Sequence, residues 1–185
     1  MIPAGGSEAA AAPEQVCLGL GSNQGDRLGH LRAAVAALTR HPALEVTAVS
    51  AVYETEYDGP GGPQDPYLNA CVALRTALAP AALLALLKEL EAQRGRLPDG
   101  HLRPRPLDLD ILVHGVRVAD DTRLTLPHPR LRERAFVLVP LQEIAADLRL
   151  PDSGETVAAA CARIRARSGP AVRRLGALGP PEGEQ

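Results

Sequence analysis

The run Arg103-Pro104-Arg105-Pro106-Leu107-Asp108-Leu109-Asp110-Ile111-Leu112-Val113 sets two arginines ahead of two carboxylates, and the carboxylates open an apolar stretch. A strand over Leu107–Val113 sends alternate side chains to opposite faces. Leu107, Leu109, Ile111 and Val113 then point into a core. Asp108 and Asp110 point the other way, about 7 Å apart along the strand. Two carboxylates that close repel each other, and burying them unpaired is costly. A divalent cation removes both penalties. Carboxylate oxygens suit Mg²⁺, which keeps several waters and takes phosphate oxygens as further ligands. Arg105 is then placed to hold phosphate beside the metal. Taken alone, the Asp-x-Asp pair is explained more simply by an edge strand with a solvated acidic face and a salt bridge to arginine.

The pair is not alone. A basic loop supplies Arg96, His101, Arg103 and Arg105, and Arg123, His128, Arg130, Arg132 and Arg134 follow within a short span. So many cations near two carboxylates suit a polyphosphate bridged by metal. Arg130 and Arg132 read better as a solvated helix face. Neither a Gly-x-x-x-x-Gly-Lys-Ser/Thr loop nor a Gly-x-Gly-x-x-Gly turn is present, and Gly19-Leu20-Gly21-Ser22-Asn23 reads as a tight turn only. Aromatic residues are scarce: Tyr53, Tyr57, Tyr67 and Phe136 are all the chain has. The core must therefore come from Leu, Val and Ala. Tyr67 and Phe136 can stack a flat ring from two sides, or each can be core. Asn69 shares a strand face with Tyr67, so its amide can read the donor and acceptor edge of such a ring.

The elements that would position these groups follow from pattern. Gln15–Leu20 reads as a buried strand. Asp26 caps a helix whose Leu28, Leu31, Val35 and Leu38 form an apolar stripe. Val46–Glu54 alternates and is β-branched, so it reads as a second strand, and Tyr67–Thr76 as a third. Between them Thr55–Pro66 is a Gly/Pro loop, long for a hairpin. Pro80 opens a helix through Leu83, Leu84, Leu87 and Leu90 that Gly95 closes. Arg96–Arg105 is a second loop, followed by the aspartate strand, a turn at Gly115 and a short strand over Val116–Ala119. Leu124–Pro129 is irregular, Leu131–Ala145 helical with Pro140 as a break or a fresh start, and Thr156–Arg167 a last helix. The order strand–helix–strand–strand–helix–strand is that of a ferredoxin-like βαββαβ unit. The fold class is therefore α+β: an antiparallel sheet flanked by helices as an α/β/α sandwich. Both Gly/Pro loops then converge on the start of the aspartate strand and can act as lids.

The chain has 185 residues, 20 basic and 22 acidic, a near-neutral balance without the footprint of bulk nucleic-acid or anionic-membrane binding. One domain over 15–178 is expected, with a disordered leader over 1–14 and a frayed tail over 179–185. The leader lacks the basic start and apolar block of a signal peptide. Cys17, Cys71 and Cys161 show no metal or redox spacing, which fits a reduced, cytoplasmic setting.

Several of these stretches together resemble the 6-hydroxymethyl-7,8-dihydropterin pyrophosphokinase family of folate biosynthesis. Arg105–Leu112 is similar to its signature. Leu20-Gly21-Ser22-Asn23, Tyr67-Leu68-Asn69-Ala70, Leu126-Pro127-His128 and Arg134-Ala135-Phe136-Val137-Leu138-Val139-Pro140-Leu141 resemble further family elements in the same order. The resemblance implies an ATP- and Mg²⁺-dependent transferase that moves pyrophosphate from ATP to the pterin hydroxymethyl group and leaves AMP. It implies two Mg²⁺ ions on Asp108 and Asp110, and catalytic roles for Arg96, Arg105, Asp108 and Asp110. It implies that Tyr67 and Phe136 sandwich the pterin, with Thr55, Glu56, Tyr57, Asn69 and Asp108 around it. Lys88, Glu91, Arg96, Arg105, Ile111, Arg123, Thr125, His128 and Arg134 become the ATP contacts. A monomer is expected. The chain departs from the family pattern at Leu102, where an aromatic is common, at Arg103, where Gly or Ala is common, and in a shorter 96–101 loop.

Two readings of other classes remain at this stage. A ferredoxin-like RNA-binding module shares the element order, but needs aromatics exposed on the central strands, and residues 16–20 and 108–113 contain none. A non-catalytic ligand or metal sensor on the same fold is the other.

Overall fold

The computed structural model describes residues 12–57, 62–96, 103–167 and 171–178. The expected leader and tail fall largely or wholly outside these residues. So do the Gly/Pro run 58–61 and most of the basic loop, 97–102, with His101 and Leu102.

Strand β1 (Glu14–Ser22) leads through Asp26, whose carboxylate accepts from Gly29 N, into helix α1 (Arg27–Arg40). Strands β2 (Leu44–Val49) and β3 (Ala51–Thr55) precede β4 (Tyr67–Thr76), helix α2 (Pro80–Gln93) and β5 (Asp108–His114). Pro80 opens α2 without losing a needed N–H, and Gly95, at φ +86°, ends it in a conformation that side chains disfavour. The short strands β6 (Ala119–Asp120) and β7 (Thr125–Leu126) pair with each other. A 3₁₀ turn (Leu131–Glu133), helices α3 (Ala135–Ala145) and α4 (Val157–Arg165) and strand β8 (Arg173–Ala177) complete the order.

The main sheet runs β5-β1-β4-β3-β8, with β2 also on β4, and every pairing is antiparallel. This is the ferredoxin-like arrangement, with β1 and β4 in the middle. Alternation builds two cores. Val16, Leu18, Leu20, Leu109 and Ile111 pack with Leu31 and Leu38 of α1 and Leu83 and Leu87 of α2. Cys17, Cys71, Ala73 and Tyr53 pack with Val137, Leu138 and Leu141 of α3 and Cys161 of α4. The result is an α/β/α sandwich.

Four local expectations are corrected. The strand expected over Val46–Glu54 is two strands, because Ser50 replaces a ladder partner: its Oγ accepts from Cys71 N at 2.8 Å. Val113 does not share the face of Leu109 and Ile111. The β1–β5 register shifts between Cys17 and Leu18, and this bulge turns Val113 into the α3/α4 core. The strand expected over Val116–Ala119 begins only at Ala119. Val116 is 87 % exposed, and β7 pairs with Ala119 and Asp120 alone. The break expected at Pro140 lies at Arg134 instead, with Pro140 inside α3. Strand β8 has no counterpart in the sequence reading; its Arg173-Arg174 start is polar and its apolar content small.

At the far end of β5, His114 is 1 % exposed, and neither ring nitrogen has a hydrogen-bond partner among the described residues. Burial pushes its pKa below the ordinary value, against the pull of Glu14. The unfolded chain therefore takes up a proton near pH 6.5, about the free imidazole value, before the folded chain does. The associated stability is complete above that pH and declines as the pH falls through it. His114→Leu is expected to raise stability by about 1 kcal/mol at neutral pH by removing unpaired polar atoms. It should also flatten the decline toward pH 5. Denaturant unfolding at several pH values measures both; an unchanged pH slope contradicts the assignment.

Candidate active site

Strand register gathers one end of the sheet. Gly21 of β1 lies opposite Asn69 of β4 on one side and Asp108 of β5 on the other. Thr55, the last residue of β3, lies opposite Tyr67. Asp108 and Asp110 leave β5 on the face opposite Leu109 and Ile111, as alternation requires. Gly21 leaves the floor open: a Cβ would sit in ordinary contact, 3.6 Å from both the Asn69 Oδ1 and a Tyr67 ring carbon and 3.8 Å from Asp108 Cβ.

Above that floor opens a cavity of about 920 Å³. Thr55, Glu56, Tyr57, Tyr67, Asn69 and Phe136 line it, together with Arg105, Asp108, Asp110 and Arg134. The two rings expected to flank a heterocycle and the two carboxylates thus share one space. Tyr57 stacks on Tyr67 with ring centroids 6.2 Å apart and planes 25° from parallel. The Arg134 guanidinium lies over Phe136, 5.5 Å from the ring centroid. Asn69 Nδ2 donates to Thr55 Oγ1 at 2.9 Å, and its Oδ1 lies toward Gly21 and the cavity floor.

Arginines grip the first carboxylate. Arg105 Nη1 donates to Asp108 Oδ2 at 2.8 Å, and Arg96 Nη1 bonds the other oxygen. Burial pushes the Asp108 carboxyl up, but the charges of Arg105, Arg96 and Lys88 outweigh it and hold its pKa below the usual value. Asp110 moves the other way: burial raises its pKa and the Asp108 charge adds to the rise, against His128, Lys88 and Arg134. His128 Nε2 is 3.9 Å from Asp110 Oδ2, and burial lowers the pKa of that imidazole. Two neighbouring carboxylates driven apart in this way constitute a site short of positive charge.

The remaining expected contacts lie along the open edge of β5. Glu91 is 2 % exposed, and its Oε1 accepts from Leu109 N at 2.7 Å and Lys88 Nζ at 2.8 Å and meets Arg96 Nη1 at 2.5 Å. Glu91 therefore anchors the strand and Arg96 from inside. Lys88 Nζ also reaches Leu109 O at 3.4 Å. The Ile111 side chain is in the α1/α2 core. Since Leu109 turns its N–H and C=O to the open edge, alternation turns those of Ile111 there as well. Arg123 and Thr125 sit at the β6–β7 hairpin, away from the cavity lining. Thr125 Oγ1 bonds Asp120 at 3.3 Å, and Asp121 accepts from Arg123 N at 2.7 Å.

Sequence reading missed other lining residues. Gln64, Arg165, Arg167 and Val172 border the cavity, the last three from the end of α4 and the approach to β8. No motif marks them, and the chain there reads as an ordinary basic helix. Asn23 is a turn residue by pattern and belongs to the Leu20-Gly21-Ser22-Asn23 element of the resemblance, with no role assigned to it there. It is 1 % exposed and bonds to both walls of the site.

Fold and site define a ferredoxin-like domain with one cleft at the sheet end, acidic and arginine-rich on one side and aromatic on the other. A model of the 7,8-dihydro-6-hydroxymethylpterin-pyrophosphokinase (HPPK) family matches residues 17–146, and the chain belongs to that family. Among its relatives is a 2-amino-4-hydroxy-6-hydroxymethyldihydropteridine pyrophosphokinase of Synechocystis sp., 44 % identical over 140 residues, 76 % of this chain and 71 % of that protein. Another, of the same name, is from Methylorubrum extorquens: 46 % identical over 147 residues, 80 % of this chain and 91 % of that protein. Among solved structures, the Plasmodium falciparum HPPK-DHPS wild type with pterin and p-hydroxybenzoate matches with a TM-score of 0.67 at 13 % identity, over 86 % of this chain and 44 % of that one. That likeness concerns the fold, and this chain spans less than half of that longer protein.

Proposed function

We propose that the chain transfers the pyrophosphoryl group of ATP to the hydroxymethyl oxygen of 6-hydroxymethyl-7,8-dihydropterin, giving AMP and the pterin diphosphate, a step of folate biosynthesis. The observation that carries this reading is the shared cavity: the Asp108/Asp110 pair, Arg105 and Arg134 open into the same space as Tyr67, Asn69 and Phe136.

The donor set fits Mg²⁺. Among the described residues no cluster of three or more His, Cys, Asp or Glu side chains gathers. Two carboxylates alone leave most positions to water and phosphate oxygens, as Mg²⁺ prefers. Bound on Asp108 and Asp110, two ions would neutralise the phosphate chain and acidify the attacking hydroxyl.

The protein's own residues do the rest. Arg105 and Arg96, now on Asp108, exchange that carboxylate for phosphate oxygens when nucleotide arrives. Arg134 extends the cationic wall, and His128 sets a neutral imidazole beside Asp110. Lys88 and the backbone of Ile111 offer polar groups to the nucleoside along the open edge of β5, with Arg123 and Thr125 at its far end. Tyr67 and Phe136 hold the pterin by its faces. Asn69 Oδ1 accepts from its ring N–H groups, and Thr55, Glu56 and Tyr57 close the edge. Asp108 is the candidate for a base. Little covalent chemistry is required, because positioning and charge neutralisation carry phosphoryl-type transfer.

We read the protein as a monomer acting in the cytoplasm on these two small molecules, without nucleic acid or membrane. The near-neutral charge supports this, as does the lack, among the described residues, of a helix long and apolar enough to cross a membrane. The deciding experiment is an AMP-release assay with ATP, Mg²⁺ and the dihydropterin. AMP formation that depends on the pterin is expected. ATP left intact, with the pterin bound, would instead mark a non-catalytic binding protein.

A further inference from the structure

Asn23 lies immediately after β1 and is enclosed by two chain segments that border the cleft. On one side its backbone N–H donates to Arg105 O at 3.1 Å, and its Oδ1 accepts from Arg105 N at 2.7 Å. This two-way clasp fixes the backbone from which the Arg105 guanidinium reaches Asp108. On the other side its Nδ2 donates to Gln64 Oε1 at 3.0 Å and to Asp65 O at 3.4 Å. Asp65 is two residues from Tyr67, and Arg27 holds the intervening Pro66 by its carbonyl at 2.6 Å. The orientation of the amide follows from its partners. A backbone N–H can bond only to its oxygen, and a backbone carbonyl only to its nitrogen.

We propose that Asn23 is a positioning residue that sets the aromatic wall at Tyr67 and the phosphate arm at Arg105 in one fixed relation. The inference rests on the pyrophosphokinase reading. The two substrates must meet with the hydroxymethyl oxygen in line with a phosphorus, and no disulfide crosses between the walls that carry them. A buried amide with an acceptor for one wall and a donor for the other joins them at one residue. Misplacement by about 1 Å between such walls costs on the order of 10²-fold in rate.

The two halves of the amide can be tested separately. Asn23→Asp keeps an acceptor for Arg105 N and removes the donor to Gln64 and Asp65. It is expected to raise the pterin KM about tenfold and to leave the ATP KM within about twofold. Its activity relative to wild type should recover as the pH falls, because a protonated carboxyl regains a donor. Asn23→Leu removes both halves and is expected to lower kcat about 100-fold. If Asn23→Asp does not fold, Gln64→Ala removes the main acceptor on the same side. It should shift the pterin KM in the same direction, by less.

A merely structural role predicts something else: a lower melting temperature, with active protein reduced in proportion to the folded fraction and both KM values unchanged. That result, or equal shifts in the two KM values, overturns the proposal. Wild type that forms no AMP would instead overturn the pyrophosphokinase reading, so the two failures are separable.

Discussion

Asp110→Asn and Asp108→Asn should each abolish all but about a thousandth of the AMP release or less, yet shift stability in opposite directions. The activity loss follows from the charge count. Triphosphate oxygens and a divalent ion need anionic ligands in fixed places, and neutralising one removes a ligand that matters most as charge develops. The stability contrast follows from the surroundings. Asp108 bonds Arg96 and Arg105, and both guanidinium groups are largely enclosed. Asparagine there leaves two cations with a weaker acceptor, so thermal stability should fall. Among the described residues Asp110 has one ion-pair contact, His128 at 3.9 Å, and the charge of Asp108 already disfavours its ionised form. Asparagine there relieves a like-charge repulsion, so the melting temperature should hold or rise slightly without metal. Added Mg²⁺ and a non-hydrolysable ATP analogue should raise the wild-type melting temperature and neither variant's by as much. Near-normal turnover in either variant contradicts the role given to the pair.

Much of this was legible in the sequence because strand alternation is a strong constraint. Leu107, Leu109 and Ile111 had to face one way and Asp108 and Asp110 the other, and one end of the sheet followed from the element order. The same rule failed at Val113, since a bulge opposite Cys17 and Leu18 depends on the partner strand. Ser50 shows a related limit: a serine inside an alternating run reads as strand until its hydroxyl takes a ladder position. Glu91 shows another. The resemblance makes it an ATP contact; it is buried because Leu109 N, Lys88 and Arg96 converge on its carboxylate. Those partners come from strand, helix and loop, so helix periodicity contains no trace of them. Asn23 was hidden for the same reason. A residue whose work is to bond two distant segments has no local signature, only the turn chemistry of its own position.

Tyr67→Ala is expected to weaken pterin binding about 10- to 100-fold, the range that stacking of a flat ring on one aromatic side chain supplies. ATP affinity, measured separately by calorimetry, should stay within about twofold. The separation rests on what surrounds each ring. Tyr67 stacks with Tyr57 and sits beside Asn69; Arg105 and Arg96 act on its hydroxyl, but among the described residues the cation stacked on a ring is Arg134, on Phe136. Its loss also strips Tyr57 of the ring it leans on, which puts the effect toward the upper end of that range. Phe136 is different. Arg134 covers it at 5.5 Å, so Phe136→Ala should displace an arginine assigned to the nucleotide and weaken both ligands. The two alanine variants therefore discriminate between a slot with one purely pterin-facing wall and a cavity that responds as a whole. Equal losses of pterin and ATP affinity in Tyr67→Ala refute the stacking assignment. A pterin-selective loss there beside a shared loss in Phe136→Ala is what the arrangement of rings and arginines demands.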